Sequence, residues 1–176
     1  MKGSYSVKVE IDVPLKLRDG TVTYVDIFRP DTTGKFPALL SRTPYDKSSP
    51  QNRGGSFDPI RGALNGYAVV LQDVRGRYTS EGEFYTFVNE INDGYDSVEW
   101  VASQPWCTGK IGMYGASYVG ATQWLAAKSE APSLSGIAPT VTASDYHEGW
   151  AWQGGAFELG FNISWSLLQL TLANFR

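Results

Sequence analysis

Residues 112–120 read Gly-Met-Tyr-Gly-Ala-Ser-Tyr-Val-Gly, and this stretch joins two different local patterns. The segment 110–114, which is apolar after Lys110, predicts a strand, whereas residues 118–128 have the pattern of a helix. A Gly-x-Ser turn between a strand and a helix is typical of a nucleophile elbow, which makes Ser117 a candidate nucleophile. The spacing departs from the common Gly-x-Ser-x-Gly, because Val119 occupies the second small position. The alternative is an ordinary N-cap serine, which stabilises a helix by about 1 kcal/mol.

The rest of the chain predicts an α/β fold with a mostly parallel sheet. From residue 36 onward, strand and helix patterns alternate, which favours parallel strands joined by right-handed crossovers. Before that, residues 5–13 and 21–30 alternate with period two around the turn Asp19-Gly20, and they predict an antiparallel hairpin at one edge. The later predicted segments are a strand within 36–45, a loop at 46–58, a helix near 58–65, a strand from 67, a helix at 90–103, the strand and helix around Ser117, and a strand at 134–141.

The predicted helix at 90–103 is amphipathic. Its apolar stripe consists of Ile91, Tyr95, Val98 and Ala102. The acidic residues of the segment, Asp93 among them, fall outside this stripe, so we expect them on the outer side of the helix. Pro105 ends the helix, since proline cannot continue it.

The character of the sequence changes after Ser144. Residues 145–176 combine several tryptophans and phenylalanines with few charges, and the segment from Ser164 onward predicts an apolar helix. Such a helix must bury its apolar surface, and little of the preceding α/β unit is free to receive it. We therefore expect residues 1–144 to be the N-terminal part of an α/β domain and residues 145–176 to start a helical cap, both within a longer protein.

Composition limits the function classes open to this chain. Its 176 residues are 42% hydrophobic and 19% charged, which indicates a globular protein of about one domain. A net charge of −3 makes nucleic acid or an anionic membrane an unexpected partner. The single cysteine, Cys107, excludes an intrachain disulfide and a cysteine-based metal cluster. Without an apolar run of membrane-spanning length or the apolar core of a signal peptide, we expect a soluble, cytoplasmic chain.

A serine nucleophile that attacks a carbonyl needs hydrogen-bond donors for the developing oxyanion. Tyr118, the residue after the serine, would provide one donor through its backbone N–H at the start of the helix. A second donor should come from the loop after the strand that ends near residue 41. That loop contains Tyr45, whose phenolic hydroxyl can replace the usual backbone donor. The alternative is a half-buried tyrosine that only anchors the loop.

Several motifs, in order along the chain, carry a family resemblance. They are RTPYDK at 42–47, QDVRGR at 72–77, SEGEF at 80–84, DGYDSVEWVASQPWCTGKIGMYGASYVGATQW at 93–124, and IAPTVTASD at 137–145. Together they resemble the cocaine-esterase and X-prolyl dipeptidyl-peptidase group of α/β-hydrolases, over roughly residues 5–170. The resemblance implies an α/β-hydrolase sheet, of which this chain holds an incomplete part, and it is strongest to bacterial acyl esterases.

The resemblance also implies roles at individual positions. Ser117 matches the catalytic serine, while the Tyr45 hydroxyl and the Tyr118 N–H match the two donors of the oxyanion hole. Trp150 and Trp165 match the cap tryptophans that contact the acyl group of the substrate. The implied reaction is two-step acyl transfer from a small ester or amide, with no metal and no organic cofactor.

Three other positions bear on specificity and structure. Val119 stands where the related α-amino-acid ester hydrolases have an acidic residue, which favours an acyl group without a required ammonium. Asp73 and Arg75, in the motif QDVRGR, match recurring family residues. We interpret these two as structural, either as a buried ion pair or as a brace for the loop.

The only histidine, His147, lies two residues after Asp145. We do not expect this pair to complete a Ser–acid–His triad, because in this fold the acid and the histidine follow later strands. The resemblance instead implies that both lie beyond residue 176, in a protein that also carries a jelly-roll β-sandwich, so that this chain alone is nearly inactive. Two alternatives stay open, an X-Pro dipeptidyl-peptidase or amidase of the same family, and an inactive binding or scaffold module. Association into a homo-oligomer is also left open.

Overall fold

The computed structural model describes residues 5–54 and 57–171 and is built on one six-stranded sheet with the strand order β1-β2-β4-β3-β5-β6. The strands are β1 (Val7–Lys16), β2 (Val22–Pro30), β3 (Phe36–Thr43), β4 (Ala68–Asp73), β5 (Cys107–Ala116), β6 (Leu134–Thr140), β7 (Trp152–Gln153) and β8 (Ala156–Phe157). The helices are α1 (Pro50–Gly54), α2 (Pro59–Leu64), α3 (Glu90–Ser103), α4 (Tyr118–Lys128) and α5 (Leu159–Trp165).

The first two strands form the predicted antiparallel hairpin at the edge of the sheet. β1 pairs with β2 from Val7 opposite Pro30 to Lys16 opposite Val22, and β2 then pairs antiparallel with β4. Gly20 has a φ of 94°, a left-handed conformation that glycine adopts without steric cost, as the tight turn requires. The hairpin prediction is confirmed.

The other four strands, β4, β3, β5 and β6, are parallel to one another. Every residue of β4 is buried, which explains the apolar run of its first four residues, 68–71; the last two, Gln72 and Asp73, are buried polar residues. Successive side chains of β4 point to opposite faces, so Val70 joins the large core cluster with Val98 of α3 and Ala126 of α4, whereas Val69 joins the smaller cluster with Ala63 of α2. The predicted α/β class is confirmed, with helices on both faces of a mostly parallel sheet.

Two local predictions were wrong. The segment 46–58 is not all loop, because Pro50–Gly54 forms α1; Pro50 occupies its first position, which suits the fixed φ of proline. Asp93 does not lie on the outer side of α3. It is 2% exposed, and its carboxylate Oδ1 lies 2.7 Å from Nη2 of Arg75.

The segment after Ser144 folds into a short β7–β8 hairpin followed by α5 and by a π-helical turn at Ser166–Leu170. The helix predicted from Ser164 therefore begins earlier, at Leu159. No residue of α5 is buried. Residues 172–176 of the expected cap lie outside the described residues, and the division at residue 144 stays a prediction. Within the part of the chain that is described, no helix combines the length and the apolar character needed to cross a bilayer.

Candidate active site

Ser117 occupies the turn between β5 and α4 in a strained backbone conformation. Its φ of 58° and ψ of −125° are uncommon for any residue other than glycine. The strand side of the turn is held because the Ser117 N–H donates to the Thr140 carbonyl of β6 at 3.0 Å. The Ser117 hydroxyl makes no capping hydrogen bond to α4. Ser117 is the N-cap residue of α4 by position, but its side chain does not cap the helix, so the capping alternative is wrong. A strained turn between a strand and a helix is the geometry expected of a nucleophile elbow.

Two glycines let the chain pack tightly around this turn. Gly115 has a φ of 135°, and a Cβ placed on it would lie 2.3 Å from Cγ1 of Val119. A Cβ on Gly120 would lie 2.6 Å from Cγ2 of Thr142, in the segment after β6. The shifted spacing noted in the sequence thus has a physical reason, because Val119 fills the space left by Gly115 while Gly120 permits the approach of Thr142.

Tyr118 follows the serine and has both its backbone and its side chain in defined positions. Its N–H is the first of α4 and so has no acceptor within the helix. Its phenol is completely buried, donates to Oε1 of Glu90 at 3.0 Å, and accepts from the Phe87 N–H at 3.0 Å. Burial, and second the negative charge of Glu90, raises the pKa of the Tyr118 phenol well above its usual value. The phenol is therefore a fixed donor to Glu90.

A buried polar network continues from Glu90 into the sheet. Oε2 of Glu90 lies 2.8 Å from Nη1 of Arg42, and their side chains are 5% and 0% exposed. Nε of Arg42 donates to Oε1 of Gln72 at 2.9 Å, and Nε2 of Gln72 donates to Oγ1 of Thr23 at 2.8 Å. The position of Tyr118 is thus connected to β2, β3 and β4. Removing one member of a buried ion pair leaves an uncompensated charge, so this network is costly to disturb.

Tyr45 lies in the loop after β3, close to Tyr118. Its backbone N–H donates to Oγ1 of Thr43 at 3.0 Å, and its carbonyl accepts from Nδ2 of Asn52 at 3.3 Å. The Tyr45 and Tyr118 rings meet edge to face with centroids 6.4 Å apart. The Tyr45 hydroxyl accepts a hydrogen bond from Nε1 of Trp165 at 3.0 Å. The structure therefore brings together three of the predicted site residues, Tyr45, Tyr118 and Trp165, whose roles in catalysis stay predictions.

An aromatic cavity of about 80 Å³ adjoins these residues. Its aromatic lining consists of Phe87, Tyr118, Tyr146, Trp150, Phe161 and Trp165. Phe87 stacks between Tyr118 and Tyr146 with centroid separations of 4.7 and 4.4 Å. Both predicted tryptophans line the cavity, whereas Phe87, Tyr146 and Phe161 were missed. A second cavity, of about 250 Å³, is lined by Tyr45, Asn52 and Ala116 among others.

The profile of the X-Pro dipeptidyl-peptidase (S15) family matches residues 19–176. The chain belongs to the S15 family. It is 42% identical to cocaine esterase from Rhodococcus sp. (strain MB1 Bresler), over 94% of this chain and 29% of that protein. It is 30% identical to a putative serine esterase from Mycobacterium bovis, over 85% of this chain and 27% of that protein.

A solved crystal structure shares the fold of this chain. The crystal structure of a CocE/NonD family hydrolase from Staphylococcus aureus matches with a TM-score of 0.87 and 30% sequence identity, over 95% of this chain and 33% of that one. The predicted family resemblance is confirmed, and so is the α/β-hydrolase type of sheet. The chain spans about three tenths of the length of the curated relatives that it matches.

His147 and Asp145 are placed as expected for residues outside a triad. The His147 side chain is 68% exposed, and its ring stacks on Trp152 at 5.4 Å. Oδ1 of Asp145 accepts from the backbone N–H groups of His147 and Glu148, at 2.9 and 3.1 Å. These two hydrogen bonds, that of Glu148 first, lower the pKa of Asp145. The carboxylate closes a local turn and does not orient the imidazole, unlike the acid of a triad.

Asp73 and Arg75 both join loops, but they are not paired with each other. Oδ1 of Asp73 accepts from the Lys47 N–H at 2.8 Å, and Oδ2 lies 3.7 Å from the Lys47 ammonium. Arg75 bridges Asp19 and Asp93 at 2.5 and 2.7 Å. Burial raises the pKa of Asp73, while Lys47 acts in the opposite direction. Both residues of the QDVRGR segment therefore act as braces, as the structural interpretation expected.

Proposed function

We propose that this chain provides the nucleophile and the oxyanion donors of a serine esterase of the S15 family. The observation that carries the proposal is the backbone of Ser117, with φ at 58° and no capping bond from its hydroxyl. A conformation of this cost persists only where the surroundings enforce it, and such strain clusters at functional sites. Here Gly115, Gly120 and the bond to Thr140 enforce it.

The proposed reaction has two steps. A histidine that follows residue 176 in the full-length protein, oriented by an acid that also follows it, removes the proton of the Ser117 hydroxyl. Ser117 Oγ attacks the ester carbonyl, and the Tyr118 N–H and the Tyr45 hydroxyl donate to the resulting oxyanion. The alcohol leaves, an acyl-enzyme remains on Ser117, and water releases the acid. None of these steps calls on a metal or an organic cofactor.

The proposed substrate is a small ester with an apolar acyl group. Support comes from the aromatic cavity, which would receive the acyl group between Trp150 and Trp165. Val119 is fully apolar and 5% exposed, so it supplies no carboxylate for a substrate ammonium. The curated relatives are named as esterases, which also favours esters. The second candidate is an X-Pro dipeptide or another amide, since the family profile carries the name of an X-Pro dipeptidyl-peptidase.

The test uses the full-length protein with p-nitrophenyl esters of graded acyl length and with X-Pro p-nitroanilides. We expect ester hydrolysis that Ser117→Ala lowers by about 10⁴-fold or more. Ser129→Ala, at the opposite end of the same helix, serves as the matched control and should retain activity. Strong anilide hydrolysis without esterase activity would favour the amide candidate. An inactive binding or scaffold module would hydrolyse neither class, with or without Ser117.

A further inference from the structure

The geometry points to Trp165 as a positioning residue for the Tyr45 hydroxyl, in addition to its place in the wall of the aromatic cavity. This inference rests on the proposed function, because it concerns the oxyanion hole of that reaction. Nε1 of Trp165 and the hydroxyl oxygen of Tyr45 are 3.0 Å apart, although 120 residues separate them in the sequence. α5 thus contributes a polar contact to the loop after β3.

The direction of this hydrogen bond is fixed by chemistry. An indole N–H can only donate, so the Tyr45 oxygen must be the acceptor. A phenol that accepts one hydrogen bond still has its own O–H to donate. Among residues 5–54 and 57–171, no acceptor for the Tyr45 O–H is found. The bond from Trp165 therefore holds the phenol oxygen in place and leaves its proton available, which is what an oxyanion donor requires.

The Trp165 indole also contacts the side chain of Tyr118, whose backbone N–H is the other proposed oxyanion donor. The rings of Trp165 and Tyr118 are nearly parallel, with an interplanar angle of 6° and centroids 6.1 Å apart. The Tyr45 ring meets the Tyr118 ring edge to face. The three side chains form one cluster, in which Trp165 contacts the residues of both oxyanion donors. The backbone of Tyr45 is fixed separately by Thr43 and Asn52.

Trp150 lines the same cavity without this connection. Its ring contacts are with Phe87 at 5.7 Å and with Tyr146 at 5.4 Å. The two tryptophans therefore differ in one respect that an experiment can isolate. Both present an aromatic wall to the acyl group, but only Trp165 donates to Tyr45. Acyl groups that displace Trp165 should then affect kcat as well as KM.

The experiment is a double-mutant cycle in the full-length protein, with a p-nitrophenyl ester as substrate. The variants are Trp165→Phe, Tyr45→Phe and their combination, with Trp150→Phe as the matched control for loss of an indole. We expect Trp165→Phe to lower kcat about three- to tenfold more than Trp150→Phe, the effect of one lost hydrogen bond. In the Tyr45→Phe background this extra loss should vanish, because no hydroxyl remains to be positioned. Trp150→Phe should act mainly on KM.

The outcomes separate this inference from the proposed function. If Trp165→Phe lowers kcat by the same factor with and without the Tyr45 hydroxyl, the positioning role is wrong while the esterase proposal stands. If Tyr45→Phe leaves kcat unchanged, the proposed oxyanion role of Tyr45 fails and the inference fails with it. Should Trp165→Phe not fold, 3-benzothienylalanine at position 165 keeps the bicyclic shape of the indole and replaces its N–H with a sulfur that cannot donate. The same loss of kcat is expected for that replacement, and unchanged kcat would overturn the inference.

Discussion

The phenol of Tyr118 donates to the Glu90 carboxylate at 3.0 Å, in a place where both side chains are buried. Through this bond, the residue whose backbone N–H begins α4 is anchored to α3. The same phenol accepts from the Phe87 N–H and so also fixes a wall of the aromatic cavity. One side chain therefore sets the positions of the proposed oxyanion donor and of the proposed acyl site.

Removal of the Tyr118 hydroxyl should lower the stability of the protein. Tyr118→Phe leaves the Phe87 N–H without its acceptor and Oε1 of Glu90 without its donor, which should lower the free energy of unfolding by about 1–3 kcal/mol. Urea denaturation measures the loss. Tyr85→Phe is the control, since that residue is 67% exposed, and it should change stability by less than about 0.5 kcal/mol. Equal effects at the two positions would contradict the described network.

The backbone strain at Ser117 predicts that a glycine variant is more stable than an alanine variant at this position. At a φ of 58° an alanine keeps the steric cost and a glycine relieves it, so Ser117→Gly should be more stable than Ser117→Ala by about 1 kcal/mol. Thermal or urea unfolding provides the comparison. Ser129 has an ordinary φ of −75°, so the order should reverse there, with Ser129→Gly the less stable variant. Glycine variants that are less stable at both positions would argue against strain at the elbow.

Adding one methyl group at Gly115 should strongly destabilise the protein, because Gly115 and Val119 approach each other closely in this turn. Gly115→Ala places a Cβ 2.3 Å from Val119 and forces alanine to a φ of 135°. Overpacking together with backbone strain should destabilise the protein by about 2–4 kcal/mol. Gly136 of the adjacent β6 has open space at its Cβ, so Gly136→Ala should be nearly neutral. Adding Val119→Ala to Gly115→Ala removes Cγ1 but keeps the Cβ of residue 119, 2.9 Å from the added methyl group, so it should recover only part of the overpacking cost. No recovery would contradict the assigned contact.

Tyr146 predicts a dependence of stability on alkaline pH. Burial, and second the negative charge of Glu90, raises the pKa of Tyr146 to about 12, compared with about 10 in an unfolded chain. Because the folded state holds the phenol proton more tightly, this contribution is full below about pH 10 and is lost as the pH rises through about 12. The difference in unfolding free energy between the parent protein and Tyr146→Phe should therefore shrink from pH 9 upward. A difference that grows over this range would contradict the assignment.

Much of the sheet was predictable because its signals are local. The period-two pattern on both sides of Asp19-Gly20 predicted the hairpin of β1 and β2, and the apolar run at 68–71 predicted the burial of β4. The bounds of α4 were predicted because a glycine-rich turn precedes the helix. The departure from the usual Gly-x-Ser-x-Gly spacing, at Val119, is also visible in the sequence, whereas its cause, the close packing at Gly115 and Gly120, is visible only in the structure.

Buried charges were not predictable in the same way. Hydrophobic periodicity assigns acidic residues to the outer side of a helix, yet Glu90 and Asp93 of α3 are both buried. Each is buried because a guanidinium from another element reaches it, Arg42 from β3 and Arg75 from the loop after β4. These ion pairs depend on the tertiary arrangement, so the local sequence does not predict them.

Three aromatic residues of the candidate site could not be predicted from the sequence, for a similar reason. Phe87, Tyr146 and Phe161 come from three separate segments, and no spacing in the sequence relates them. Phe87 also has a φ of 66°, a left-handed conformation that local propensity does not favour for a phenylalanine. By contrast, Trp150 and Trp165 were identified through resemblance to known cap residues, without a local pattern of their own.

Ser117 is the proposed acyl nucleophile. The most direct measurement treats the full-length protein with a fluorophosphonate and locates the adduct by peptide mass spectrometry. We predict phosphonylation of Ser117, abolished by Ser117→Ala and slowed by Tyr45→Phe, because the hydroxyl donor supports the developing charge. An active enzyme that carries no adduct on Ser117, or carries it on another serine, would contradict the account.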